Sequence, residues 1–117
     1  MARIRSIKPE MRRSRTVCGW PLPVRYTFVG LLGYVDDYGR ADADIRLIKA
    51  ELYPIDDSMT TKRIEEHLAA IEESGPLCRY SVGGVDFLHL VSWSEHQKVS
   101  HPTPSRIPPC PKHGGAE

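Results

Sequence analysis

His96, His101, Cys110 and His113 lie close together near the C-terminal end and are of the types that ligate zinc, and His96 and His101 are spaced within the range of paired zinc histidines. No cysteine pair precedes them, and so proline-rich a stretch would have to be folded by the metal itself, so the sequence predicts no metal site and no stoichiometric zinc. The three cysteines, Cys18, Cys78 and Cys110, are odd in number, far apart and set in no C-x-x-C spacing, which points to a reduced, cytoplasmic protein. Asp36–Asp37 and Asp56–Asp57 are the candidates for acid–base or nuclease chemistry. Neighbouring acids at loop positions mostly cap helices or face water, and no Ser/His/Asp set or phosphate-cradling glycine loop accompanies them. The expectation is a protein that is not an enzyme and holds no cofactor.

The remaining chemistry is electrostatic. Residues 1–25 hold seven basic side chains against one acid, a charge of +6; residues 26–95 hold six basic against thirteen acidic, −7; residues 96–117 hold three basic against one acidic, +2. The net charge of +1 therefore conceals a basic N-terminal end on an acidic body. A polyanion meets local charge before net charge, so Arg3, Arg5, Lys8, Arg12, Arg13 and Arg15 are candidate phosphate contacts, with a solvated arm as the plain alternative.

The elements that must position these groups are legible from periodicity and breakers. At 117 residues the chain has room for one core, and no apolar run approaches the roughly 20 residues a membrane helix needs. The basic N-terminus lacks the apolar stretch of a signal peptide. Val24, Phe28, Leu31, Leu32 and Val35 predict a first long helix behind Pro21 and Pro23, with Gly30 and Gly33 inside it where another backbone approaches. A short strand or bridge is expected in 39–43, then a helix capped by Asp44 and running to Leu52. Thr60 or Thr61 caps a third helix through Ser74, and Gly75-Pro76 ends it. Leu77–Val82 and Val85–Val91 read as strands joined by a Gly83-Gly84 turn. Trp93 is expected to close the folded part.

Three segments follow: a basic N-terminal arm over 1–20, a folded domain over 21–95, and a proline-rich tail over 96–117, extended on the domain or disordered. In the arm, Ile4 and Ile7 are expected to anchor against the core, and Pro9 to start a brief helix carrying Arg12 and Arg13. Phe28, Leu31, Ile48, Leu52, Ile64, Leu68, Ile71 and Leu90 form the expected core. Tyr26, Tyr34 and Trp93 are expected to pack within the domain, and His67 and His89 to be ordinary helix and strand residues. Trp20 either staples the first helix or sits exposed.

Helix, short strand, helix, helix and glycine-turned hairpin is the order of a winged helix-turn-helix domain, an α+β fold of three main helices plus a hairpin wing. Its third helix enters the DNA major groove by its N-terminal end. Thr60, Thr61, Lys62 and Arg63 are then candidates for phosphate and base-edge contacts, with Arg79 in the wing a minor phosphate contact. Glu65, Glu66, Glu72 and Glu73 on the same helix work against a groove-buried position.

The residues carry a resemblance as well. MARIRSIKPE, GLLGYVDDYGRADADIRLIKAELYPIDD and WSEHQKVSHPTPSRIP together resemble the N-terminal winged-helix module of phage replication-initiation or replisome-organiser proteins, the DnaD-like group of actinobacterial phages and prophages. The similarity runs from Met1 to about Pro109. It implies a double-stranded-DNA-binding module in an infected bacterial cytoplasm, without catalytic residues. Family members commonly follow KPE with an aromatic pair; here Met11-Arg12-Arg13 stands there, so the arm is expected to be freer. Longer relatives continue into a second domain that engages helicase loading, so replication and transcriptional regulation fit equally well. The competing expectation is a winged-helix adaptor that binds a host or phage replication or transcription protein through its acidic body.

Overall fold

Proline and short polar side chains set the helix starts in the computed structural model of the chain, which describes residues 4–113. Pro9 opens α1 (Pro9–Arg13), where its missing N–H is harmless, and the Ser14 hydroxyl accepts from the Val17 N–H to start α2 (Arg15–Cys18). Pro21 and Pro23 bracket the start of α3 (Leu22–Tyr34). After β1 (Arg40–Asp42), the Asp44 carboxylate caps α4 (Ile45–Leu52) and Thr60 caps α5 (Thr61–Ser74). β2 (Leu77–Val82), β3 (Val85–Leu90) and a short α6 (Trp93–His96) follow. The result is an α+β domain with a three-stranded antiparallel sheet in the order β1-β3-β2. Among the described residues no helix is long and apolar enough to cross a membrane.

Both sheet faces are covered, which is why β3 buries Leu88, His89 and Leu90 in succession. Leu77, Leu88 and Leu90 join Leu31, Ile48, Ile64, Leu68 and Ile71 in the core built with α3, α4 and α5. Phe28 and Leu52, expected inside, are only partly buried at its edge. Tyr26 is exposed, although its ring lies 5.7 Å from that of Tyr53. Tyr34 is half-buried and its hydroxyl donates to the Asp42 carbonyl at 2.7 Å. Trp20 is buried: its indole N–H donates to Ser74 Oγ at 3.0 Å and its ring meets Phe28 edge-on.

The opposite face is covered by the tail, so the folded part does not end at Trp93. Tyr80 donates to the Pro108 carbonyl at 2.7 Å, Arg40 to the Ile107 carbonyl at 3.2 Å, and Cys110 packs beside Cys78. Asp36 and Asp37, expected to cap or face water, instead receive the tail: Ser105 Oγ donates to Asp36 and the Thr103 N–H to Asp37. Gly39 holds φ at 78°, and a Cβ there would meet the Trp93 ring at 2.8 Å, so conformation and space both demand glycine. Of the two glycines inside α3, Gly30 faces the Leu52 side chain rather than a backbone, and Gly33 faces open space.

The N-terminal segment is docked, by polar groups and not by the isoleucines. Ile4 is 99% exposed and Ile7 53%. Ser6 and the Gln97 amide exchange two hydrogen bonds, at 2.9 and 2.7 Å, while Met11 and Val17 pack on the core without any aromatic pair.

One buried polar cluster links three helical segments. Thr27 Oγ1 lies 2.5 Å from the Tyr53 hydroxyl, 2.7 Å from His67 Nδ1 and 3.2 Å from the Pro23 carbonyl. The arrangement that satisfies all three has Thr27 donating to Pro23 and accepting from Tyr53 and from the His67 Nδ1–H. Burial, with the nearby Arg63 cation, holds the His67 pKa below its usual 6.5, and Glu66 only partly opposes this. The unfolded chain then takes up this proton first, so the stability is complete above about 6.5 and falls as pH drops through the window below it. Urea unfolding at pH 7.5 and 5.5 is expected to show a larger acid loss for the native chain than for His67→Gln; equal losses contradict the assignment.

Candidate nucleic-acid interface

The candidate contacts divide according to what already holds them. Arg3 lies outside the described residues. Arg5 was expected on a phosphate-binding arm, but its side chain is only 8% exposed. The guanidinium donates to the Leu32 carbonyl at 3.0 Å, the Val35 carbonyl at 3.2 Å and Asp37 Oδ1 at 3.2 Å, and it lies 5.1 Å from the Trp93 ring centroid. It is a cationic cap on the C-terminal end of α3, where orphan carbonyls and the helix dipole favour positive charge. Arg25 serves α2 likewise, donating to the Cys18 and Trp20 carbonyls. Two of the seven basic residues in the first 25 are thus structural.

Arg79 also departs from expectation. Its guanidinium donates to Glu65 at 2.8 Å and to Glu72 at 2.9–3.0 Å, so it ties β2 to α5 and does not stand ready on the hairpin for phosphate. The exposed hairpin tip, Ser81–Asp86, carries no cation. Glu65 and Glu72 are one helical face, seven residues apart, and their charge is largely offset by this arginine. Glu66 and Glu73 remain exposed.

What faces solvent falls into two clusters. Arg12, Arg13 and Arg15 are exposed on α1 and α2, while Lys8 is exposed with its ammonium on the Glu95 carbonyl at 3.1 Å. Thr60, Thr61, Lys62 and Arg63 are exposed at the start of α5. The Thr60 hydroxyl accepts from the Arg63 N–H at 3.2 Å, and the Arg63 guanidinium reaches back to the Ser58 carbonyl at 3.0 Å. The two clusters do not meet. Trp20, two residues beyond α2, is fixed to Ser74 at the far end of α5, and 14 helical residues at 1.5 Å each separate the ends of that helix by about 20 Å.

The metal candidates are rearranged too. His96 sits in α6 and His101 in the loop beyond, away from the cysteines, whereas Cys78, which the sequence did not connect with them, lies against Cys110 and His113. Burial pushes the Cys78 thiol up to about 11, and its contact with Cys110 acts in the same direction. Spacing gave no sign of this, because Cys78 and Cys110 are 32 residues apart and are joined only by the tail's return.

Comparison of the chain with models of protein families, with curated proteins and with solved structures finds no match.

Proposed function

We propose that the chain is a winged-helix DNA-binding module of phage origin that acts in phage replication or transcriptional regulation and has no catalytic role. The observation that carries this reading is the exposed first turn of α5, with Thr61, Lys62 and Arg63 at a helix start, on a helix packed against a hairpin whose Gly83-Gly84 tip projects into solvent. Free N–H groups and two cations at that end suit phosphate and base edges. The α3–β1–α4–α5–β2–β3 order is that of a winged helix, and the resemblance to phage replisome organisers points the same way. Arg12, Arg13 and Arg15 supply a second phosphate contact at the other end of α5.

A second reading rests on its own observation: beyond its first turn, α5 exposes Glu65, Glu66 and Glu73, and the wing tip exposes Val82 and Val85 without a cation. That surface suits a protein partner, and the chain is then an adaptor. Mobility shift with duplex DNA fragments separates the two. The intact chain is expected to retard DNA at low salt, and Lys62→Ala/Arg63→Ala to weaken binding by about tenfold or less while relaxing sequence preference. Failure of the intact chain to retard any fragment at low salt favours the adaptor.

A further inference from the structure

The outer face of the sheet carries an arrangement that neither DNA binding nor folding of the helical core requires. Cys78 on β2 is the cross-strand partner of His89 on β3, so the two side chains share the face that the tail covers. Cys110 arrives on that face from the tail, buried to 1% exposure, and its sulfur lies 3.4 Å from Cys78 Sγ. The chain then turns, with the His113 N–H donating to the Cys110 carbonyl, which brings His113 Nδ1 back to 3.3 Å from Cys110 Sγ.

We propose that Cys78, Cys110 and His113 bind a zinc ion that fastens the C-terminal tail to the sheet. Their ligand atoms all lie within 4.8 Å of one another. Zinc bonds of about 2.3 Å to sulfur and 2.0–2.1 Å to nitrogen, at tetrahedral angles, place two sulfurs about 3.8 Å apart and sulfur and nitrogen about 3.6 Å apart. The observed 3.4 and 3.3 Å need only a few tenths of an ångström of expansion, while Cys78 and His113, whose ligand atoms lie within 4.8 Å, must come to about 3.6 Å. A disulfide, at about 2.05 Å, would require a far larger approach. Two sulfurs and an imidazole select zinc over magnesium or calcium.

Charge and support fit as well. Each thiol gives up its proton on ligation, so zinc and two thiolates form a neutral unit that burial tolerates. The Tyr80–Pro108 and Arg40–Ile107 hydrogen bonds fix the strand of tail just before Cys110. Exposed His113 gives the ion a path from solvent. The proposal departs from the sequence expectation of no metal, which rests on the lack of a cysteine pair along the chain: Cys78 and Cys110 are paired in space.

The test uses the full chain, purified under reducing conditions. About one zinc per chain is expected by elemental analysis, and cobalt(II) in its place is expected to give thiolate-to-cobalt charge-transfer absorption with tetrahedral d–d bands. Cys78→Ser and Cys110→Ser should each abolish that absorption, whereas Cys18→Ser and His101→Ala retain it. Because the serine variants can lose the tail's packing, thiol modification of the native chain gives an independent readout: zinc should protect two of three cysteines, and a chelator should release them. A cobalt spectrum without thiolate absorption overturns the proposal. So does zinc retained by a Cys78→Ser/Cys110→Ser double variant, equal reactivity of all three thiols with zinc present, or a Cys78–Cys110 disulfide in a chain that takes up no metal once reduced.

Discussion

Arg5→Ala is expected to destabilise the fold by about 3–5 kcal/mol, the range for removing one partner of a buried charge pair. The side chains of Arg5 and Asp37 are 8% and 5% exposed, and the arginine also serves the carbonyls of Leu32 and Val35. Its removal takes a guanidinium away from a buried carboxylate and from the last carbonyls of α3, at the junction where α3, the N-terminal segment, Trp93 and the tail meet. Arg5→Lys should fall between, because one ammonium cannot span acceptors arranged for a planar fork. Urea unfolding of the three proteins checks this. A solvated phosphate-binding arginine gives a change within about 0.5 kcal/mol, and such a result for Arg5→Ala would show that the segment is a free arm.

The same observation changes how DNA affinity must be probed. Deleting the first 15 residues removes the clamp on Asp37 along with the exposed arginines, so lost binding would be indistinguishable from lost folding. Point changes avoid this. Arg12, Arg13 and Arg15 are exposed, and α1 and α2 bury no residue, so Arg12→Ala/Arg13→Ala/Arg15→Ala should leave unfolding nearly unchanged. If each arginine neutralises one phosphate, the triple variant loses three counterion-releasing contacts, and the slope of log affinity against log salt should flatten by roughly 2.7, at 0.9 per contact. Lys62→Ala/Arg63→Ala should flatten it by at most about 1.8 on the same basis.

Local information was legible in the sequence where one element decides its own geometry. Asp44 and Thr60 cap the helices at which their short oxygens stood, Ile64, Leu68 and Ile71 face inward at helical spacing, and the Gly83-Gly84 turn has φ of 59° and 80° as such a hairpin requires. The errors share a different cause. Ile4 and Ile7 were placed inside by residue type, but an extended segment buries what its partners can satisfy, and here the available partners are carbonyls and a carboxylate that suit Arg5. Arg79 is expected at phosphate because the acids that hold it lie 14 and 7 residues back on another element. Cys78 and Cys110 were unrelated until the tail, proline-rich and without regular structure, crossed the sheet. Contacts between individually ordinary residues at long separation leave no periodic trace.

The charge partition has the same limit. Seven basic residues near the N-terminus suggest one positive field, whereas Arg5 and Arg25 close helix ends and the exposed arginines belong to the segment that Trp20 ties to the C-terminal end of α5, the end opposite Lys62 and Arg63. The two clusters lie on different elements, so their contributions to DNA affinity can be weakened independently.

The most direct test of DNA binding is fluorescence anisotropy of the intact, folded chain with a random-sequence duplex between 50 and 200 mM salt, the range over which a multi-phosphate binder loses affinity steeply. The account predicts measurable binding at the low end and a linear fall of log affinity with log salt, less steep in the triple arginine variant. An intact chain with no affinity at 50 mM salt, or with affinity independent of salt, would contradict it.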